Sequence, residues 1–164
     1  MFREMRRSRQ QLSREAAEEI LSRNTCGTLA VSGDDGYPYA VPLSYLYFGG
    51  KIYFHCAKTG HKIDAIRGCD KVSFCVIDQD LIMPEQYTTY YRSVIAFGRA
   101  RLVEDAEEKR QAITALAMKY APDFPDGIGP EVAASLDHMA IIEMTVEHLT
   151  GKEAKALAAQ RGSL

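Results

Sequence analysis

Apolar and polar residues alternate with a period of two through most of residues 28–103, and that alternation predicts a run of short antiparallel strands. The first covers 28–32 and turns at Gly33-Asp34-Asp35-Gly36; the second covers 37–47, and after Phe48-Gly49-Gly50 the third covers 51–55. Tyr39, Val41, Leu43, Tyr45 and Tyr47 share one face of the second strand. Pro38 and Pro42 withhold ladder donors there, which calls for an edge, a bulge or a place where something else meets the backbone. Residues 71–78 set Val72, Phe74 and Val76 against Ser73, Cys75 and Ile77, a pattern expected of a strand buried on both faces. A polar loop should separate it from a long strand over 90–103, in which Gly98 marks a bend or a close backbone contact. The last strand is expected over 139–146, and from Thr150 the chain reads as a polar, alanine-rich tail.

Helical spacing interrupts this pattern in a few places. Ser13 precedes an amphipathic stretch with Ala17, Ile20 and Leu21 on one side, so a helix is expected over about 13–24 with Ser13 as its N-cap. Ile63 and Ile66 lie at helical spacing after Gly60, with Gly68 at the stop. Asp105 and Glu108 form a capping pair for a helix through Ile113, Leu116, Ala117 and Tyr120, ended by Pro122 and Pro125, and a further short helix is expected after Pro130. Strands dominate and do not alternate with crossover helices. The fold class is therefore mainly β with helices, an antiparallel barrel or curled sheet whose ends the helices plug, and a doubly wound parallel sheet is disfavoured.

Composition narrows the partners. The 164 residues fit a single domain, 46% hydrophobic and 26% charged, and 20 basic against 22 acidic residues give no reason to expect nucleic acid. Arg3, Arg6, Arg7 and Arg9 are not followed by a signal-like apolar run, and no stretch reaches the ~20 apolar residues of a membrane span. A cytoplasmic location without membrane attachment is expected. Cys26, Cys56, Cys69 and Cys75 include no C-x-x-C pair and are expected as free thiols, while His138 and His148 flank the last strand without a third ligand, so no metal is expected. Ser13, Ser32, Ser93 and Ser135 sit in no nucleophile elbow, which gives a hydrolase little support.

One segment carries candidate chemistry. Residues 55–62, His55-Cys56-Ala57-Lys58-Thr59-Gly60-His61-Lys62, place two histidines and two lysines between a strand end and a helix start. Unpaired N–H groups and the positive dipole end suit an anion such as phosphate, and Gly60 permits close approach; taken alone, the segment reads rather as solvated loop charges, because basic loops are common.

The runs 36–45 (GYPYAVPLSY), 52–57 (IYFHCA), 60–62 (GHK), 71–74 (KVSF), 91–100 (YRSVIAFGRA) and 151–153 (GKE) occur in an order that resembles the FMN-binding split barrel of the pyridoxamine 5'-phosphate oxidase-like superfamily, and within it the nitroimidazole-resistance branch. The resemblance covers most of the chain. It implies one split-barrel domain over 1–164, with the barrel at about 27–148 and the tail at about 150–164. It also implies a homodimer with FMN between the subunits. Carried over by position, Val41, Pro42, Leu43 and Ser44 would flank the flavin ring. His55, Cys56 and Ala57 would line its groove, and Gly60, His61 and Lys62 would hold its phosphate. The chain departs from pyridoxamine phosphate oxidases proper at residues 160–164 (QRGSL), where their arginine-rich substrate clamp has no counterpart.

Two functions follow from that resemblance. One is an FMN-dependent oxidoreductase that reduces a small organic acceptor, such as a nitro-aromatic, with NADH or NADPH as a candidate electron donor. His55 is its candidate catalytic residue, for substrate contact or proton delivery, because an imidazole exchanges protons readily near neutrality. The same residue could simply hydrogen-bond the cofactor or pack in a dimer seam. The alternative function is a non-catalytic flavin- or haem-binding sensor dimer, since one fold hosts many functions.

Overall fold

The computed structural model describes residues 2–161, so the expected tail is described up to Arg161 and its last three residues lie outside. Seven strands form one antiparallel sheet: β1 (Cys26–Ser32), β2 (Pro38–Ser44), β3 (Leu46–Phe48), β4 (Lys51–Ala57), β5 (Lys71–Met83), β6 (Thr88–Leu102) and β7 (Met139–Glu153). Five α-helices accompany them: α1 (Arg14–Arg23), α2 (His61–Gly68), α3 (Ala106–Tyr120), α4 (Pro125–Ser135) and α5 (Lys155–Arg161). The strand order is β2-β1-β5-β6-β7-β4-β3. Its two outermost strands, β2 and β3, are joined through Tyr45 alone, and two consecutive peptide units span no more than about 7 Å. The sheet must therefore curl until its edges meet.

Tyr45 is the corner of that closure, and here the expected continuous strand over 37–47 breaks in two. The side chain is fully buried, its hydroxyl donates to the Leu21 carbonyl at 2.8 Å, and its N–H donates to the Tyr120 hydroxyl at 2.8 Å instead of to a strand. With the Tyr45 N–H served from a helix, the chain can leave β1 and join β4 without orphaning that donor. Leu29, Val31, Ile52, Phe54, Val72, Phe74, Val76, Val94, Ala96, Ile142 and Met144 fill the interior, closed off by Ala17, Ile20 and Leu21 of α1 and by Ile63 and Ile66 of α2. The expected caps hold, since Ser13 Oγ accepts from the Ala16 N–H and Asp105 accepts from the Glu108 N–H.

Several expectations need correction. Helices α3 and α4 do not plug an end; Ile113, Leu116, Ile128 and Val132 pack on the outside of the wall, against Ile141, Tyr53 and Met139. Strands β4 and β7 can support this because both of their faces carry apolar side chains. Helix α4 starts at Pro125 rather than after Pro130, because proline suits a first helical turn. In place of a polar loop, β5 and β6 run on as a paired ribbon to a tight turn, where Tyr87 adopts φ +50° and is 97% exposed. Strand β5 is buried on one face only, with Ile77 66% exposed on the other. His148 lies inside β7, stacked on Phe2 at 4.6 Å, rather than after it.

The tail also begins later than expected. Strand β7 continues to Glu153 because Gly151 tucks beneath Leu12, and the buried Glu153 carboxylate meets Arg92 at 3.3 Å and Arg161 at 3.0 Å. Helix α5 follows it. No described helix is long and apolar enough to cross a membrane.

Candidate functional site

The closure at Tyr45 is incomplete. Strand β3 pairs only with Lys51–Tyr53, so the edge of β4 from Phe54 to Ala57 is unpaired, and β2 pairs only with β1. These two edges, brought together by Tyr45, do not pair with each other, and the seam between them is the candidate ligand cleft. Proline cannot donate to a ladder, so the partners Thr28↔Pro42 and Ser32↔Pro38 are non-hydrogen-bonded pairs, and the backbone groups of Pro38, Ala40, Pro42 and Ser44 point into the cleft. Only Ala40 and Ser44 offer an N–H there. The prolines make β2 a poor template for another strand and leave room for a ligand.

Strand alternation then sorts the candidate residues. Pro42, Ser44, His55 and Ala57 are exposed and face outward, whereas Val41, Leu43 and Cys56 turn inward against the barrel core and spend their backbone N–H and C=O groups on the ladders to β1 and β7, so these three back the cleft wall without offering it a polar group. Burial pushes the Cys56 thiol up, partly opposed by the Lys62 cation, which disfavours its thiolate. His55 makes no hydrogen bond or ion pair with any described residue.

At its far end the cleft meets the start of α2. Gly60 is the N-cap at φ +125°, a conformation that side-chain-bearing residues rarely adopt, and nothing lies within 4 Å of where a Cβ would stand. The N–H groups of His61 and Lys62 lack intrahelical acceptors because they open the helix. The His61 ring stacks on Tyr39 at 4.2 Å and 12°, with Nε2 3.6 Å from Asp34 Oδ2. Residue 61 thus offers an anion its N–H rather than its imidazole, and Lys62 supplies the side-chain cation. An open glycine cradle, two free N–H groups and an ammonium form a donor set that fits a phosphate.

At the Tyr45 end the cleft opens on a cavity of about 360 Å³ that the sequence did not disclose, lined by Ser44, His55, Ile113, Leu116, Ala117, Tyr120, Glu131, Val132, Ser135 and Met139. The helical spacing of Ile113, Leu116, Ala117 and Tyr120 was visible, but not the sheet face that this stripe covers. The Tyr120 hydroxyl lies between the cavity and the corner, accepting from Tyr45 and donating to the Thr25 carbonyl.

Known proteins share this architecture. The sequence pattern of the family described as Pyridoxamine 5'-phosphate oxidase matches residues 13–153. No curated protein matches this sequence. Among solved structures, a candidate 5-nitroimidazole antibiotic resistance protein from Bacteroides thetaiotaomicron superposes with a TM-score of 0.75 at 21% identity, over 87% of this chain and 86% of its own. A FAD-binding protein from Mesorhizobium loti gives 0.64 at 26% identity, over 88% and 97%. A FAD and heme binding protein from Mycobacterium smegmatis gives 0.73 at 19% identity, over 93% and 80%.

Proposed function

This chain belongs to the pyridoxamine 5'-phosphate oxidase family, a flavin-binding group with the split-barrel fold, and from that premise we propose that it is an FMN-dependent oxidoreductase that reduces a small organic acceptor, such as a nitro-aromatic, as a homodimer. The observation that carries this reading is the cleft itself, bounded by two free strand edges and ending on the phosphate-shaped start of α2.

FMN, when bound, would supply a two-electron centre that is reduced by a donor such as NADH or NADPH and passes both electrons to the acceptor. The chain's own residues do the rest. Gly60, the N–H groups of His61 and Lys62, and the Lys62 ammonium hold the phosphate. The outward Pro42, Ser44 and Ala57, with the free backbone groups of Ala40 and Ser44, border the ring and exclude water from one side, while Val41, Leu43 and Cys56 support that wall from the barrel side. His55 stands outward at the mouth of the cavity, free to hydrogen-bond an acceptor and to give it a proton.

Lys62→Ala is expected to weaken FMN binding by about 1.5–3 kcal/mol, the scale of a lost charge-assisted hydrogen bond, read by fluorescence titration. Unchanged affinity would move the phosphate elsewhere.

The dimer is supported by a sheet face that the chain itself covers only in part, where Phe2 lies against Phe97. Ser73, Cys75 and Ile77 of β5 stand beside Phe97, Ile95 and Ser93 of β6, and Ile77, Ile95 and Phe97 are respectively 66%, 39% and 37% exposed. Beyond them the ribbon presents Leu81 and Ile82 on its two opposite faces, 51% and 69% exposed. An apolar patch of this extent is characteristic of an interface. Sedimentation at micromolar concentration should give twice the chain mass, and a flavin-loaded monomer would refute the dimer.

The activity reading is tested by the absorbance spectrum of the purified protein with and without added FMN, followed by NADH and NADPH oxidation with a panel of acceptors. Flavin bands with acceptor-dependent oxidation are expected. A flavin spectrum without turnover, or a haem band, would replace the enzyme with a carrier or sensor.

A further inference from the structure

The cavity beside His55 belongs to the outer core between α3, α4 and the sheet rather than to the barrel, and its chemistry is one-sided. Ile113, Leu116, Ala117, Val132 and Met139 make its walls. Of its polar groups, Tyr120 is committed to the corner and Ser135 Oγ donates to the Glu131 carbonyl at 2.7 Å, which leaves Ser44 and His55 on the lining and the exposed Glu131 at its rim. No lysine or arginine lines the cavity, and the Glu131 side chain pairs with no cation among the described residues.

We propose that this cavity is the acceptor compartment and that it selects an aromatic ring that is uncharged or carries a basic substituent, rejecting rings that bear a phosphate or carboxylate. The assignment rests on the flavin reading above, because Ser44 and His55 belong to both cleft and cavity and so place an occupant beside the flavin edge. Its volume falls at the lower end of the range for small-molecule sites, about 300–1,000 Å³, which suits a single ring with short substituents. An anion entering would lose its hydration against apolar walls, gain no cation and meet a like charge at Glu131. A neutral ring loses nothing comparable, and a basic substituent finds Glu131 as a partner. Pyridoxamine 5'-phosphate is excluded on the same ground.

Four matched probes test this on the flavin-loaded protein by equilibrium dialysis: 4-nitrobenzyl alcohol, 4-nitrobenzylamine, 4-nitrobenzoate and 4-nitrophenyl phosphate. The alcohol and amine should bind at least tenfold more tightly than the two anions. Ala117→Phe, which fills the cavity, should weaken the alcohol tenfold or more while FMN stoichiometry and affinity stay unchanged. Glu131→Lys, at an exposed position on α4, should invert the preference so that benzoate binds more tightly than the amine. Equal binding of neutral and anionic probes, or a folded Ala117→Phe variant with wild-type affinity for the alcohol, would overturn the assignment. If FMN binds normally and the charge preference is absent, this inference fails alone. If the preference is present but FMN does not bind, the cavity stands as a ligand site and the flavin reading fails.

Discussion

His55→Ala should lower acceptor reduction by roughly 10²-fold or more, about 2.7 kcal/mol, while flavin content and melting temperature stay at wild-type values. The separation of effects follows from where the side chain points. On β4, Ile52 and Phe54 are fully buried in the barrel and His55 faces out, making no hydrogen bond or ion pair that its removal would break. Nothing in the fold depends on the imidazole, yet it stands at the junction of cleft and cavity, where an acceptor taking up electrons also needs a proton. Steady-state rates per bound flavin, with thermal melts of both proteins, measure the two effects independently. If the variant sheds flavin or melts early while each remaining flavin turns over at the wild-type rate, His55 belongs to the scaffold and the proton comes from elsewhere.

Gly98→Ala should destabilise the protein by about 3 kcal/mol or more and lower its melting temperature by roughly 6–12 °C. A Cβ at this position would sit 2.0 Å from the Thr145 carbonyl oxygen and 2.9 Å from its carbon, and a backbone carbonyl cannot rotate away as a side-chain tip could. The site coincides with the irregularity between Phe97 and Gly98 in the β6–β7 pairing, which lets β7 approach β6 this closely. The effect should extend to function. Strand β7 pairs Met139–Ile142 with Ala57–Phe54, so displacing it moves one wall of the cleft, and FMN affinity should fall with stability. A melting temperature within about 2 °C of wild type would show that β7 can give way.

How much of this was legible beforehand depended on whether the signal was local. The alternation over residues 51–55 foretold that His55 faces outward, because period-two geometry acts residue by residue, whereas Cys56, expected to line the groove, turns inward. Pro42 announced an interrupted ladder, at an edge, a bulge or a foreign contact, and the strand order settles on the edge. Gly60 and Gly98 were visible as places of close backbone approach, and the structure supplies the reasons, a positive φ at Gly60 and the Thr145 oxygen beside Gly98.

What was missed depends on contacts distant in sequence. The break at Tyr45 is held by a hydroxyl from Tyr120, and no local pattern near residue 45 reports it. Residues 79–89 read as a loop because their side chains are polar or exposed, yet the ribbon is held by backbone pairing that does not depend on side-chain polarity. The long β7 was cut short at 146 because its final residues satisfy buried charge rather than apolar alternation, as the ion pairs of Glu153 with Arg92 and Arg161 show. The cavity was invisible for a related reason. An apolar helical stripe on α3 states that something covers it, but not that the cover stops short beside His55.

The central claim, that the cleft between β2 and β4 holds a flavin by its phosphate at the start of α2, is tested most directly by fluorescence titration of the protein with FMN and with riboflavin, which differ only in that phosphate. FMN should saturate at one per chain and bind roughly 10- to 150-fold more tightly than riboflavin, the equivalent of about 1.5–3 kcal/mol, and Lys62→Ala should remove most of that difference. Equal affinity for the two flavins, or a preference for FMN that survives Lys62→Ala undiminished, would contradict it.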